Sequence, residues 1–488
     1  MQVYYLRILW QRRPLRGICA LPGSWSMFIK AEKGHFLTKD PAFYKAVFKM
    51  LVIVALQNVV SYSVNMIDNV MLGNYSQDAL SGAATVNQIF FMVDQFALGI
   101  GNSLVVLTSQ YWGENKVSPI RRLTGVALRL GIICSVIIIA LCHFAPDMVL
   151  HIFTNDAAII AEAKQYLIIM EWTFVMFIIS NILMCVLRSV GTVRISFFIS
   201  CISLVINAVG NYAFIYGNLG APQMGIQGAA LSTLIARIVE LGVIIFFVIK
   251  IDKKLHLFKK ELFLIDKVLR RDFRKVAIPT MLAQLLWGVS VPFQTAILGH
   301  LSSNAIAANS IATTFYQYLK VVVLAMASTC AVTIGNSIGH GDRRRVESDG
   351  RSLCVICLCL GIALGLALIA LRNPLLSLYN LNEETLTLAR HLIVMMGFIM
   401  MTMAYQQPTS FGIIMGAGNG QFTAKLNLIS VWCIVIPLSI CAAFWWNLPV
   451  ELVVLCVQSD QIFKCVPIFI YFRSYRWIRK VTRDEEPA

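Results

Sequence analysis

The feature that most constrains this 488-residue chain is a succession of long apolar runs that continues almost to its end. Each run holds about 20 residues, which lets a helix cross a hydrocarbon core of roughly 30 Å. The runs are continuous, whereas the strands of a membrane barrel alternate apolar with polar residues. Only 14% of the residues are charged, against about 25% in a soluble domain. The sequence therefore predicts an all-α polytopic membrane protein.

The apolar runs form about twelve predicted transmembrane helices, arranged as two sets of six. The first set lies near 46–70, 83–109, 122–144, 164–187, 194–217 and 227–250. The second set lies near 273–297, 306–334, 351–372, 390–415, 422–446 and 450–472. This arrangement predicts five parts: a cytoplasmic N-terminal segment 1–45, an N-terminal six-helix lobe 46–250, a basic cytoplasmic linker 251–272, a C-terminal six-helix lobe 273–472 and a cytoplasmic tail 473–488.

Lysine and arginine residues predict the orientation of these helices. They concentrate in every second loop, and the connector 251–275 alone holds nine of them. The intervening loops, around 73–82, 217–226, 298–305 and 446–450, hold none. Because cytoplasmic loops are enriched in these residues, we expect both termini in the cytoplasm and a multi-pass protein of the plasma (inner) membrane of a bacterium. The loops also explain the net charge of +16, so no nucleic-acid partner is expected.

The two sets of helices repeat each other. When the sequence is shifted by 226 positions, Gly73 falls on Gly299 and Gly113 falls on Gly339. Each unit holds six helices, an even number, so both units enter the membrane in the same direction. The repeat therefore predicts two bundles related by a pseudo-two-fold axis along the membrane normal, which is typical of transporters.

Two other features carry less information about function. Residues 1–26 are basic and aromatic, and they could form an interfacial helix or a weak signal sequence; we expect a dispensable extension, with Met27 as an alternative start. The 13 cysteines are scattered through apolar runs without the spacing of a zinc site. Free thiols are therefore expected, and neither a metal cluster nor a cofactor is implied.

Several motifs, in order along the chain, resemble the multidrug and toxic compound extrusion (MATE) family. They are IDNVMLGNYSQDALSGAA after the first predicted helix, TSQYWGENK after the second, and the long segment 187–240 that begins LRSVGTVR. The tail FRSYRWIRKVT also resembles the family's end. The resemblance implies a monomeric antiporter that exports organic, often cationic, compounds in exchange for H⁺ or Na⁺. Its two lobes would rock between inward-open and outward-open states.

Asp68 is the first candidate for the coupling site. A charged carboxylate at bilayer depth costs several kcal/mol, so it must face a cavity or carry a proton. The alternative is that Asp68 lies at the outer end of its helix and touches water. The resemblance implies that the matching aspartate is the proton or cation site, with Asn181, Asn207, Asn211 and Thr233 as its partners. Oxygens of the aspartate and the three asparagines could hold Na⁺, although asparagines within membranes also join helices.

The chain departs from the family pattern at two places that bear on coupling. Asn211 stands where many relatives have an acid, which puts tight Na⁺ binding in doubt and favours H⁺. The seventh and tenth predicted helices also lack the acid that some relatives have there. We therefore expect ion coupling in the N-terminal lobe.

The repeat adds a hypothesis about gating, because Asp94 lies 226 positions before Lys320 and both are mid-helix. Two interpretations are open: the two residues pair across the lobe interface in one state only, or each faces the wet cavity separately. Glu171 either lines the cavity or bonds to a neighbouring helix. The remaining polar candidates for the cavity are Gln57, Gln88, Gln284, Gln294 and Gln406.

Three other functions compete with an antiporter. A lipid-linked oligosaccharide flippase of the same superfamily should carry clustered arginines for pyrophosphate, and arginines are few within the predicted helices. An intramembrane enzyme needs a nucleophile with its base or a metal motif, and none of the seven histidines forms one. A channel needs a selectivity loop, and none is recognisable.

Overall fold

The structure is a computed structural model that describes residues 36–264, 266–298, 303–377, 382–446 and 448–483. These residues are mainly helical and contain no strand, which confirms the all-α prediction. The helices from Pro41 onward pack as one compact unit. The predicted extension 1–26 and the alternative start at Met27 lie outside the described residues.

The first half of the chain forms seven helices, of which six are long. They are α1 Pro41–Tyr75, α2 Gln77–Gly113, α3 Val117–Phe144, the short α4 Pro146–Leu150, α5 Ala157–Ser189, α6 Arg194–Tyr216 and α7 Ile226–Phe246. A π-helical turn, Phe247–Ile251, continues α7. The connector then holds only the short helix α8, Lys260–Phe263, in its described residues.

In the described residues, the second half begins with four long helices and continues with five short ones that are separated by breaks and π-helical segments. The continuous part comprises α9 Lys267–Leu298, α10 Ser303–Gly339, α11 Arg343–Leu376 and α12 Glu383–Gln407. The following helices are α13 Gly420–Asn427, α14 Ile436–Ile440, α15 Val450–Gln458, α16 Asp460–Phe463 and α17 Cys465–Arg473. Three π-helical segments lie among them, at Pro408–Ile414, Leu428–Val435 and Cys441–Trp445.

Among the described residues, ten helices are long and apolar enough to cross a membrane, or eleven if α15 is joined with the bent α16–α17 segment. Helix α7 is the sixth long helix of the first half, and with it the number of helical segments reaches two sets of six. It carries the ion pair Arg237–Glu240. The predicted multi-pass architecture is therefore confirmed.

Helices α1 and α9 begin earlier than the hydropathy indicated, because capping residues extend them beyond the apolar runs. Asp40 accepts a hydrogen bond from the backbone N–H of Ala42 at 2.8 Å, and Pro41 follows as the first helical residue. Asp266 accepts from the N–H of Val268 at 2.8 Å. Both arrangements satisfy free N–H groups at a helix start, so the helices exceed the hydrocarbon thickness.

The two halves come into backbone contact where α2 crosses α10. A Cβ atom placed on Gly113 would lie 2.9 Å from the Cα of Gly339, and one placed on Gly339 would lie 2.8 Å from the Cα of Gly113. Only glycine lets the two backbones come this close. These glycines are the pair that the 226-residue shift superposes, so the pseudo-two-fold axis passes between them.

The C-terminal tail packs on the first half of the chain at the same end of the bundle. The side-chain amide of Gln110 accepts from the N–H of Val481 at 3.0 Å and donates to the carbonyl of Arg479 at 3.2 Å. Arg483 donates two hydrogen bonds to Asp272, at 2.7 and 3.1 Å. The tail therefore bridges the end of α2 and the start of α9.

Candidate ion-coupling site

Asp68 lies near the end of α1 and is only 8% exposed. The Asn211 amide donates a hydrogen bond to its Oδ1 at 2.5 Å. Asp68 is therefore buried against the Asn211 side chain in this conformation. A buried carboxylate next to a neutral amide has to carry a proton or meet a cation.

Asn211 belongs to a chain of polar side chains that joins α6 to α7. Asn207 and Asn211 stand four residues apart and share one face of α6. Asn211 also donates to Asn207 Oδ1 at 3.3 Å, and Asn207 donates to Thr233 Oγ1 of α7 at 3.1 Å. The structure therefore brings together four of the five predicted residues, which we call the Asp68 cluster: Asp68, Asn207, Asn211 and Thr233.

The Asp68 cluster has an oxygen without a partner. Asn211 Oδ1 is buried and accepts no hydrogen bond from the described residues. Amide and carboxylate oxygens are suitable ligands for a small hard cation, and the carboxylate alone can also take up a proton. The arrangement can therefore hold either ion between α1 and α6.

Asn181, the fifth predicted residue, contacts other residues than those of the Asp68 cluster. Its Oδ1 accepts a weak hydrogen bond from the Cys185 thiol at 3.5 Å on the same helix. It also lies against Gly101 of α2, where an added Cβ would be 3.0 Å from Oδ1. Across the described ranges, Asn181 has no hydrogen bond to Asp68 or its partners.

Arg237 of α7 is a further charged residue of this region. Its guanidinium donates to Glu240 at 2.7 Å and lies 4.9 Å from the centre of the Phe177 ring. It also interacts electrostatically with Asp68 and Asp94. The i, i+3 spacing to Glu240 was visible in the sequence, but the approach to two other helices was not.

Asp94 and Lys320 form no ion pair in the part of the chain that the structure describes. The Lys320 ammonium lies 5.2 Å from the centre of the Trp287 ring on α9. Trp287 in turn packs against Phe91 of α2, with ring centres 6.1 Å apart. The gate hypothesis requires the pair in only one state, so it stays a prediction for the other conformation.

The other cavity candidates are distributed over both halves. Glu171 is 1% exposed, and His143 Nδ1 of α3 lies 2.8 Å from its Oε1. Of the two alternatives for Glu171, cavity lining or a bond to a neighbouring helix, the structure shows the bond to a neighbouring helix. Gln57 donates to the Met184 sulfur at 3.8 Å. The remaining four differ in exposure: Gln284 and Gln406 are buried, Gln294 is half-buried and Gln88 is exposed.

Gln95 is a buried polar residue that the sequence interpretation missed. It is 2% exposed, and its Oε1 has no partner among the described residues. Its side chain fills the space beside Gly288 of α9, where an added Cβ would lie 2.8 Å from Gln95 Cγ. Gln95 lies two turns before Ser103 on an apolar helix. Nothing in the sequence pattern there distinguished it from a residue that only packs between helices.

Comparison with known proteins decides the family. The sequence profile of MatE matches residues 54–213 and 279–441, which is one stretch in each half of the chain. The chain belongs to the MatE family. As a member it is a membrane transporter and not an enzyme.

Curated relatives of this MatE-family transporter match most of its length. A probable multidrug resistance protein NorM of Thermotoga maritima is 22% identical over 462 residues, which is 93% of this chain and 97% of that protein. A probable multidrug resistance protein NorM of Halalkalibacterium halodurans is 26% identical over 385 residues, or 77% of this chain and 82% of that protein.

Solved structures support the same fold. An outward-facing conformation of a multidrug resistance MATE family transporter superposes with a TM-score of 0.80 at 16% identity, covering 90% of this chain and 98% of that one. A mutant of the Vibrio cholerae MATE transporter VcmN gives 0.81 at 17% identity, with coverage of 90% and 98%. The two-bundle fold with its pseudo-two-fold axis is thereby confirmed.

Proposed function

We propose that the protein is a multidrug efflux transporter that exports organic, chiefly cationic, compounds in exchange for an entering ion. Its similarity to probable multidrug resistance proteins supports drug-like organic substrates. The single observation that carries the coupling is the buried Asp68 carboxylate, bonded to an asparagine of another helix that keeps a free oxygen. Such a group can bind an ion from one side of the membrane and release it to the other when its surroundings change.

H⁺ is the ion that this chemistry favours. The Asp68 cluster holds one carboxylate, and Asn211 contributes a neutral amide where relatives have a second acid. A site with one carboxylate and neutral amides has too little negative charge for tight Na⁺ binding. Na⁺ held by Asp68, Asn181, Asn207 and Asn211 is the alternative, and Asn181 would have to move toward the other three.

Alternating access would follow from rocking of the two lobes, with boundaries at 46–250 and 273–472. The close crossing of α2 and α10 supports one closed end in this conformation. Asp94 and Lys320 would form their ion pair in the opposite state. We also propose that both termini face the cytoplasm of a plasma membrane, as the basic loops indicate, and that the transporter works as a monomer.

The test is transport by purified protein in liposomes loaded with a fluorescent cationic dye. A pH gradient alone and a Na⁺ gradient alone would be imposed in parallel, with the membrane potential clamped by K⁺ and valinomycin. The proposal predicts dye movement against its gradient when H⁺ flows the other way, and little movement with Na⁺ alone. Equal dye movement with and without either gradient would contradict coupled export.

A further inference from the structure

A second buried polar cluster lies in the second half of the chain, where the sequence predicted no coupling group. Lys464 donates to Asp460 Oδ2 and to Asn427 Oδ1, each at 2.8 Å. Gln461 donates to Asp460 Oδ1 at 3.0 Å, and Gln406 donates to Gln461 at 2.5 Å. We call these five residues the Asp460 cluster. Asp460 is 5% exposed and Lys464 3%, so both charges are inside the protein.

Three helices are interrupted where they contribute to the Asp460 cluster. Asp460 begins α16 directly after a break, at which the chain bends by 42° from α15. Asn427 is the last residue of α13 before a π-helical segment, and Gln406 lies in the last turn of α12 before another. In membrane proteins, discontinuous helices converge on ion and substrate sites, and π-helical turns recur at functional positions.

The position that a bound cation would take in this cluster is filled by Lys464. Its nitrogen contacts one carboxylate oxygen and one amide oxygen, the ligand types that small hard cations prefer. The Asn427 amide turns its oxygen toward the ammonium even though its buried Nδ2 then has no partner among the described residues. Because an unpaired buried donor is unfavourable, contact with the ammonium determines this orientation.

The Asp460 cluster has the same kinds of ligand as the Asp68 cluster but differs in one respect. Both place a buried aspartate next to an asparagine of another helix. Among the residues that the structure describes, no lysine bonds to Asp68, whereas Lys464 is bonded to Asp460. One site thus has room for an exchangeable ion, and the other carries its own positive charge.

We propose that Lys464 is a tethered cation, whose ammonium permanently occupies the ion position of a second site formed by Asp460, Asn427 and Gln461. This site would then bind no ion from solution in the wild-type protein. Where the proposed function holds, only the Asp68 cluster exchanges ions during transport. Removal of the Lys464 ammonium, with Asp460 retained, creates a vacant site for Na⁺ or a small alkylammonium ion.

The experiment measures thermal unfolding of the purified full-length protein in detergent, and it does not depend on transport. All variants carry Asp68→Asn, so that the first site contributes no ion binding. With choline as the only cation, Lys464→Met should lower the unfolding midpoint by about 5 °C or more, because Asp460 loses its partner. Na⁺ or methylammonium should raise the midpoint again in a saturable way, as expected for a ligand that binds only the folded state.

Two controls separate a tethered cation from an ordinary structural ion pair. Protein that retains Lys464 should respond to Na⁺ by less than about 1 °C, because its site is already filled. The double variant Asp460→Asn/Lys464→Met should also fail to respond, because it lacks the carboxylate. If Lys464→Met does not fold, Lys464→Gln serves for the same titration.

Loss of stability in the lysine variants without recovery in Na⁺ or methylammonium would overturn the proposal. An equal response of the Asp460→Asn/Lys464→Met double variant would overturn it as well, since the ion would then be bound elsewhere. Absence of gradient-driven dye export by the wild type would overturn the proposed function but would leave this midpoint readout unchanged.

Discussion

Asn211 determines which ion the Asp68 cluster can hold. Its amide donates to Asp68 and Asn207 and leaves one buried oxygen free, so it adds an acceptor without adding a charge. Proton exchange at the single carboxylate needs no further ligand, whereas a bound Na⁺ must be neutralised and surrounded by oxygens. The proposed preference for H⁺ therefore rests on one side chain.

Replacement of Asn211 with aspartate tests that dependence. Two adjacent carboxylates cannot both be charged unless a cation lies between them. We expect Asn211→Asp to make dye export dependent on Na⁺ at alkaline pH, with an increase of about tenfold on addition of Na⁺ that the wild type does not show. Asn218→Asp, in the loop after the same helix, is the matched control and should transport like the wild type. Unchanged Na⁺ dependence in Asn211→Asp would argue against ion binding at this cluster.

The sequence predicted some contacts of the site and missed others, because it shows neighbours along one helix but not contacts between helices. Hydropathy placed Asp68 at the end of an apolar run, and the spacing of Asn207 and Asn211 places both on one helical face. Sequence spacing shows only neighbours on one helix, so it indicates that Lys464 is a local partner of Asp460, four residues away, and nothing more. Convergence of Asn427 on the same ammonium depends on tertiary packing, as does the separation of Asn181 from Asp68.

Among the helices, α2 and α10 are the elements whose contact holds the two halves together at one end. Their crossing has no room for side chains, because a Cβ on Gly339 would lie 2.1 Å from the carbonyl oxygen of Gln110. The repeat predicted that Gly113 and Gly339 are equivalent, but it did not predict that they touch. Helix ends were also poorly predicted, since capping by Asp40 and Asp266 lies outside the apolar pattern.

An alanine at Gly339 should destabilise this crossing. The added methyl group forces the backbones of α2 and α10 apart, at a cost of about 1–3 kcal/mol. We expect Gly339→Ala to lower the thermal midpoint and to shift the transporter toward states in which this end is open. Gly242→Ala is the control, because no atom lies within 4 Å of the added Cβ there. Similar midpoints for the two variants would show that the crossing is looser than the structure indicates.

In the whole molecule, the C-terminal tail links the two halves at the end where α2 meets α10. It forms two hydrogen bonds with Gln110 and a bidentate ion pair with Asp272. Charge-assisted bidentate contacts of this kind are stronger than neutral hydrogen bonds. The tail is therefore positioned to stabilise closure of this end.

Deletion of residues 479–488 should loosen that closure. We expect faster amide hydrogen exchange at 108–116 and 267–275, because both segments lose their contacts with the tail. Exchange in α5 should stay unchanged, because Gln110 and Asp272, which bind the tail, lie on α2 and α9. Arg476→Ala changes an exposed tail residue and is the control. Unaltered exchange at 108–116 after the deletion would show that the tail does not stabilise this end.

The central claim is that the Asp68 carboxylate couples ion entry to substrate exit. The most direct measurement compares Asp68→Asn with Asp78→Asn, an exposed control on α2, in the liposome assay under a pH gradient. The account predicts that Asp68→Asn still binds dye but no longer moves it against its gradient, while Asp78→Asn transports like the wild type. Uphill dye export by Asp68→Asn at the wild-type rate would contradict the account.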